Sequence, residues 1–176
     1  FCPGKIGVFF RKVFLKIKFK ELGKKFYSET GLFITGYENI TIKNNGRFMR
    51  YSSINADKNS SIKIGDNISV NYNVNINSCN NGYIEIGNDV LIGQNTVLRA
   101  SDHKISDQNK KINQQGHTGG KIIIGNNVWI GANCVILKDV KIEDNSVIGA
   151  GTVISKNVKK NEIIIGNKQR FLKKNI

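Results

Sequence analysis

The sequence contains little proline, cysteine or tryptophan, and the shortages exclude several classes of protein. Its 176 residues include one Pro, one Trp, one Met and three Cys. Cys2, Cys79 and Cys134 are widely spaced and form no CxxC motif, which argues against a disulfide scaffold and predicts a reducing compartment. No apolar run approaches the roughly 20 residues that a membrane span needs. The chain begins at Phe1 rather than Met, so we expect a truncated start.

Acidic residues are scarce at both ends of the chain, while its middle is nearly neutral. Residues 1–25 contain eight Lys and Arg residues against one Glu, and residues 156–176 contain seven against one Glu. Residues 26–155 contribute only +1 to the total charge of +14. Two basic ends predict two contacts with anionic molecules.

An aliphatic residue recurs at every sixth position over much of the chain. The longest unbroken series is Ile124, Ile130, Ile136, Ile142, Ile148 and Ile154. Shorter series are Ile64, Val70, Ile76, then Ile86, Ile92, Leu98, with a weaker copy at Ile42, Phe48, Ile54. A small or β-branched residue stands four positions after each member of the longest series.

This period predicts an all-β solenoid. Positions six apart lie about 240° apart on a helix, so a helix could not bury them together. Three hexapeptides can instead form the three faces of an 18-residue triangular coil, with the aliphatic residue inward and Gly, Asn or Asp at the corner. Coils are expected near 64–81, 86–103, 124–141 and 142–159, with four extra residues around 77–83. A polar excursion over 99–121 interrupts them, and such a long loop is usually functional.

The motifs IGNDVLIGQNTVL, IGNNVWIGANCVIL and IEDNSVIGAGTVISKNV resemble those of the hexapeptide-repeat acyltransferases. The resemblance covers about residues 35–170, and the DHKISD…KKIN segment is similar to the branch that O-acetylates capsule, lipopolysaccharide and sialic acid sugars. It implies a left-handed parallel β-helix, a homotrimer, and acetyl-coenzyme A in the groove between neighbouring prisms. No metal is implied.

Two histidines are available to remove a proton from a sugar hydroxyl, and both lie in the excursion. A neutral imidazole is the usual proton acceptor near pH 7. His103, in Ser101-Asp102-His103, matches the catalytic histidine of the family. His117 lies late in the loop among neighbours that we expect to be flexible, so it is the weaker candidate, with a contact to the acceptor as its expected role. Direct attack on the thioester is favoured over an acyl-cysteine, because Cys134 fills an inward position and no histidine is near Cys79 in sequence.

The resemblance also assigns coenzyme contacts. The positions concerned are Ala132 and Ala150 for the pantetheine chain, Ser155 and Lys156 for the phosphates, and Arg170 and Lys173 beyond the last coil. A basic C-terminal segment facing a phosphorylated nucleotide fits this assignment, although a solvated basic tail would also explain some of its charge.

Two further residues are candidates for the acceptor site. Trp129 lies between inward Val128 and Ile130, so alternation predicts that it points outward, towards a subunit, the coenzyme or a sugar. Asn73 matches a position that contacts the acceptor in related sugar acetyltransferases. It stands in an Asn-rich stretch, where a corner role is the simpler explanation.

The first 25 residues lie outside the repeat and form a separate basic amphipathic segment, followed by the acetyltransferase domain over 26–176. Ile6, Phe10, Val13 and Ile17 fit one helical face, although residues 15–20 alternate like a strand. This segment either caps the open end of the prism or meets anionic lipid through residues 5–20.

The expected function is acetyl transfer from acetyl-coenzyme A to a hydroxyl of a cell-surface glycan, in the cytoplasm. If the N-terminal segment meets lipid, the expected place is peripheral, at the inner face of the cell membrane. One alternative is N-acetylation of an amino-sugar nucleotide. A basic solenoid that binds an anionic polymer is another, but nucleic acid is not expected because the basic residues sit at the ends and lack interleaved aromatics. A purely structural solenoid would not need the 99–121 excursion.

Overall fold

The six-residue period folds into stacked triangular coils, each built from three short strands. The structure is a computed structural model that describes residues 4–166 and 170–174. Helix α1 (Gly4–Lys18) comes first. The first two coils contain β1 (Glu21–Leu22), β2 (Tyr27–Ser28), β3 (Phe33–Thr35), β4 (Ile40–Ile42), β5 (Arg47–Phe48) and β6 (Ser53–Ala56). The third and fourth contain β7 (Ser61–Ile64), β8 (Ser69–Val70), β9 (Asn75–Ser78), β10 (Tyr83–Ile86), β11 (Leu91–Ile92) and β12 (Val97–Arg99).

The excursion and the remaining coils follow. The excursion contributes β13 (Ser101–His103) and β14 (His117–Gly119). The fifth and sixth coils contain β15 (Lys121–Ile124), β16 (Trp129–Ile130), β17 (Val135–Ile136), β18 (Val140–Ile142), β19 (Val147–Ile148) and β20 (Val153–Ile154). The chain ends with β21 (Glu162–Ile165) and β22 (Arg170–Lys174). Short 3₁₀ helices occupy Tyr37–Asn39 and Ile112–Gln114.

Equivalent strands of successive coils pair in parallel and form three faces of a prism. Face 1 contains β1, β4, β7, β10, β15 and β18, and face 3 contains β3, β6, β9, β12, β17 and β20. Face 2 contains β2, β5, β8, β11, β16, β19 and β21, and β22 then pairs antiparallel with β21. The predicted parallel β-helix is therefore confirmed. We call the turns between faces corner 1–2, corner 2–3 and corner 3–1.

The inward aliphatic residues form one continuous core. All six isoleucines of the longest series are at most 1% exposed, and the weaker copy (Ile42, Phe48 and Ile54) is completely buried. The small residues four positions later are buried as well, including Ser146 and Thr152. The strands of the second to sixth coils thus alternate a buried with a more exposed side chain, as the period predicted.

The insertion expected near residues 77–83 has an earlier counterpart. Residues 57–60 make an equivalent wide turn one coil before, at the same corner 3–1. The carboxylate of Asp57 ties the two turns together, because it accepts hydrogen bonds from Ser60 Oγ (2.6 Å), the Asn80 N–H (2.6 Å) and the Asn59 N–H (3.3 Å). Burial acts to raise the pKa of Asp57, but these hydrogen bonds outweigh it and hold that pKa below its ordinary value.

Asparagine and aspartate line the other corners because they tolerate the left-handed backbone conformation. At corner 2–3, Asn73, Asn95 and Asn133 have φ of 54°, 59° and 56°. Asn73 Nδ2 donates to Asn95 Oδ1 (3.0 Å), and Asn95 Nδ2 donates to Asn133 Oδ1 (3.1 Å). Gly151 takes the next position, with φ of 72°. Asn73 and Asn95 therefore supply both the turn and a side-chain hydrogen bond to the next coil, whereas Gly151 supplies the turn alone.

Helix α1 closes the N-terminal end of the prism. Leu15 and Phe19 are buried in the core, and the Phe19 ring packs edge-on against Tyr37 at 5.4 Å between centroids. The segment that alternates like a strand is helical as far as Lys18, and the first coil begins at Glu21. The division of the chain at residues 25 and 26 stays a prediction. Over the described ranges, we find no helix long and apolar enough to cross a bilayer.

Candidate active site

The excursion forms an antiparallel hairpin that places the two histidines side by side. β13 pairs with β14, and His103 lies directly opposite His117. Their ring centroids are 4.0 Å apart with an angle of 40° between the ring planes. His103 is exposed and His117 is half-buried. The backbone of His117 therefore belongs to a paired strand rather than to an irregular loop.

A hydrogen bond at each end of the hairpin joins its two arms, and the end at Ala100 and Gly120 adjoins the coils. The Gly120 N–H donates to the Ala100 carbonyl (2.8 Å), and the Lys104 N–H donates to the Gly116 carbonyl (3.0 Å). A side chain on Gly119 would approach the Asn80 carbonyl oxygen to 2.2 Å, so glycine is required for the hairpin to lie against the turn of the third coil.

The tip of the excursion is also ordered by a side chain. Gln115 Oε1 accepts from the Asp107 N–H (3.0 Å), and Gln115 Nε2 donates to the carbonyls of Asp107 and Lys110 (2.9 Å each). One glutamine therefore holds the segment between the two histidine strands. The backbone on both sides of the histidine pair is therefore held by hydrogen bonds, and a catalytic base needs such support to keep its position.

Lys138 lies beside the hairpin at corner 3–1. Its Nζ is 3.0 Å from Asp139 Oδ2 and 4.0 Å from Asp102 Oδ2. The hydrogen bond to Asp139 raises the pKa of Lys138, and the same bond lowers the pKa of Asp139. Because neighbouring residues of a strand point to opposite sides, Asp102 projects towards Lys138 and away from the side of His103.

The cysteines are poorly suited to nucleophilic catalysis. Burial, followed by the negative charge of Asp57, raises the pKa of the half-buried Cys79 thiol. Burial also raises the pKa of Cys134, which is completely buried and whose Sγ lies 3.2 Å from the Gly149 carbonyl oxygen. Packing at an inward position, as expected, thus accounts for Cys134. Cys2 lies outside the described residues.

The predicted coenzyme residues flank the outer side of face 3 in the last coils. Ala132 and Ala150 lie at corner 2–3 of the fifth and sixth coils, and the Gly151 N–H donates to the Ala132 carbonyl (2.8 Å). Ser155 and Lys156 follow β20 at corner 3–1 and are exposed. β20 thus connects the two predicted contact regions.

Two other predicted coenzyme residues belong to the C-terminal hairpin. Arg170 and Lys173 lie on β22, in register with Ile165 and Ile163 of β21. Their strand extends face 2, so the structure places them on a different face from Ser155 and Lys156.

The two predicted acceptor residues do not meet His103 within one chain. Trp129 points outward from face 2, with 55% of its surface exposed, in register with Leu91 and Val147 of the neighbouring strands. Its outward direction is confirmed. Asn73 lies at corner 2–3 and makes the hydrogen bond described above, so its corner role is confirmed. His103 lies at corner 3–1, on the other side of face 3.

Two features of the site were not predicted. One is the pairing of His117 with His103. The sequence indicates it only in that both histidines lie in the same excursion. The other is Lys138, which neither spacing nor resemblance singled out.

A cavity of about 700 Å³ between α1 and the first two coils contains none of the predicted site residues. No group of three or more His, Cys, Asp and Glu side chains that could hold a metal occurs within the part of the chain that the structure describes.

Residues 121–156 match the family "Bacterial transferase hexapeptide (six repeats)". The resemblance to the hexapeptide-repeat transferases is thereby confirmed. A maltose O-acetyltransferase from Clostridium difficile 630 is similar to this chain, with 29% identity, a TM-score of 0.67, and coverage of 93% of this chain and 74% of the other.

Two further solved structures share the fold. A galactoside acetyltransferase in complex with coenzyme A is 25% identical, with a TM-score of 0.64 and coverage of 100% and 74%. The N-acyltransferase AntD from Bacillus cereus, in complex with dTDP and 3-hydroxybutyryl-CoA, is 22% identical, with a TM-score of 0.77 and coverage of 93% and 87%. Comparison with curated protein sequences gives no match.

Proposed function

We propose that the protein is an acyltransferase that moves an acetyl group from acetyl-coenzyme A to a sugar hydroxyl of a cell-surface glycan or its precursor. The observation that carries the proposal is the exposed His103 imidazole, stacked on His117 at the end of an ordered hairpin beside the solenoid. The similar solved structures include an O-acetyltransferase of maltose and a galactoside acetyltransferase, which supports both the reaction and the class of acceptor.

His103 acts as the general base. Its neutral imidazole takes the proton of the acceptor hydroxyl as the oxygen attacks the thioester carbonyl carbon, and a tetrahedral intermediate forms. When that intermediate collapses, the carbon–sulfur bond breaks and the imidazolium returns its proton to the departing thiolate. A positioned base contributes about 10²–10⁴-fold to such a step. The His117 ring, tilted by 40° and 4.0 Å away between centroids, lies directly beside this base.

The chain's own residues offer a path for the coenzyme along face 3. Ala132 and Ala150 present corner backbone for the amide chain of pantetheine, while the Lys156 side chain is exposed for a phosphate. Arg170 and Lys173 are proposed as further phosphate contacts, although their strand β22 extends face 2 rather than face 3. Charge-assisted contacts of this kind suit phosphates. The free thiols of Cys79 and Cys134 agree with a reducing, cytoplasmic setting, which is part of the proposal.

The proposal includes a homotrimer. Within one chain, His103 lies at corner 3–1, whereas Trp129 lies on face 2 and Asn73 at corner 2–3, so a second chain is needed to bring them together. Face 2 presents an outward apolar ladder of Leu91, Trp129 and Val147, which a neighbouring chain can cover. Light scattering should give the mass of three chains. A monomeric mass together with full activity would remove the shared site from the proposal.

Thiol release from acetyl-coenzyme A tests the activity, with sialic acids, their polymers, neutral glycans and amino-sugar nucleotides as acceptors. We expect turnover with a hydroxyl acceptor. His103→Ala should abolish it while leaving coenzyme A binding unchanged, and Gln108→Ala, an exposed residue of the same excursion, should behave as wild type. Turnover only with amino-sugar nucleotides would support N-acetylation instead. Binding to polynucleotides without coenzyme binding would support the basic polymer-binding solenoid.

A further inference from the structure

Helix α1 has a second apolar side that the solenoid does not use. Its inner side contributes Leu15 to the core. The opposite side carries six large apolar residues, between 46% and 79% exposed, at alternating spacings of three and one: Ile6, Phe9, Phe10, Val13, Phe14 and Ile17. On a helix these spacings place all six on one stripe, which we call the outer stripe.

Closing the prism does not explain the outer stripe. Leu15, together with Phe19 just beyond the helix, already covers the end of the first coil. An exposed apolar patch of this size on a soluble protein marks a surface that contacts a partner. Three of the six residues are phenylalanines, which bury a large apolar area on contact.

The charges around the outer stripe indicate what that partner is. The helix sequence GKIGVFFRKVFLKIK contains no acidic residue. Lys16 and Lys18 of its last turn and Lys20 beyond it are exposed, and Lys18 Nζ lies 5.8 Å from the centroid of the Phe14 ring. Ammonium groups therefore border the apolar stripe. A partner that is apolar inside and negatively charged at its surface fits both features.

We propose that α1 lies in the headgroup region of an anionic lipid bilayer, with its outer stripe facing the acyl chains. A helix with an apolar face and a lysine-rich polar face binds membranes in this manner. At 1.5 Å per residue, α1 is about 22 Å long and lies along the surface rather than across a core of about 30 Å. A second copy of α1 is a poorer occupant, because it contains no acidic residue and would bring its own Lys16 and Lys18 towards these lysines.

Co-sedimentation of the full chain with vesicles tests the proposal without any acetyl transfer. We compare phosphatidylcholine vesicles with vesicles of phosphatidylcholine and phosphatidylglycerol in a roughly 2:1 molar ratio. Wild type should bind the anionic vesicles at least about tenfold more tightly, because only their surface attracts the lysines, and added salt should weaken that binding. Equal binding to both kinds of vesicle, or to neither, overturns the proposal.

Matched variants separate the apolar and the charged contributions. The double variant Phe9→Ser/Ile17→Ser alters only exposed side chains, and Ile112→Ser is its control because Ile112 is 56% exposed in the excursion. The double variant should lose at least about tenfold in affinity for anionic vesicles, as should Lys16→Glu/Lys18→Glu, while the control does not. If the double variant instead lowers the oligomer mass and leaves vesicle binding unchanged, a second copy occupies the stripe and the proposal fails. Acetyl transfer to a soluble acceptor should persist in every variant, which keeps this test separate from that of the proposed function.

Discussion

Replacing Gly151 tests whether backbone conformation at corner 2–3 selects the residue type. Gly151 has φ of 72°, and a Cβ atom added to it would have no neighbouring atom within 4 Å. Alanine there costs about 1–2 kcal/mol for the left-handed conformation. It regains about 0.4–1 kcal/mol from the lower entropy of the unfolded chain. Gly151→Ala should therefore destabilise the protein by about 0.5–1 kcal/mol.

Asparagine at the same position should have the opposite effect. Asn73, Asn95 and Asn133 adopt this conformation in the preceding coils and form a ladder of amide hydrogen bonds. Gly151→Asn extends the ladder by one bond, worth about 0.5 kcal/mol at an exposed site, and gains the same unfolded-state entropy. The two variants should differ by about 1.5 kcal/mol, or about 3–6 °C in melting temperature for a chain of this size.

Gly131 provides the contrasting case because it needs space rather than conformational freedom. A Cβ there would lie 2.6 Å from the Ala150 nitrogen. Gly131→Ala and Gly131→Asn should both destabilise, by about 1–3 kcal/mol, because backbone cannot move aside. Urea and thermal unfolding without coenzyme, at one protein concentration, measure all four variants. If Gly151→Asn is as unstable as Gly151→Ala, or Gly131→Asn stabilises, the assignment of these two roles is wrong.

Three further outcomes follow from the site and the turns. His117→Ala should lower kcat less than His103→Ala does, with His117→Phe recovering much of the loss if ring stacking positions the base; no recovery would point to a different role. Lys156→Ala should raise the KM for acetyl-coenzyme A about five- to thirtyfold (on the order of 1–2 kcal/mol) with little change in kcat, and an unchanged KM would contradict phosphate contact. Asp57→Asn should destabilise by about 1–2 kcal/mol at pH 7. Because the folded pKa of Asp57 is lowered, wild type should lose this advantage as pH falls below the unfolded value near 3.8, so a difference that persists in acid would count against the prediction.

The period of six was sufficient to predict the solenoid, its inward residues and the direction of Trp129. Each of these depends on local alternation, which the sequence displays directly. The partner of His103 could not be predicted, because the strands around His103 and His117 are short and their pairing depends on the contact of Gly119 with the turn at Asn80. The turn at residues 57–60 was missed for a similar reason, since it breaks the period with polar residues whose shared contacts are seen only in three dimensions.

The positions of His103 and Trp129 lead to a last prediction, that the active site is shared between chains. His103 stands at corner 3–1 and Trp129 on face 2, so one prism cannot present both to one acceptor. His103→Ala and Trp129→Leu should each be nearly inactive, the second keeping an apolar outward side chain for assembly. If the two variants are denatured together and refolded as mixed trimers, about a quarter of the sites receive an intact residue from each contributing chain. Activity should then recover to about a quarter of wild type, whereas mixing after assembly should give none. Should both residues serve the same site from one chain, every chain in the mixture would carry a defective site, and co-refolding would restore nothing.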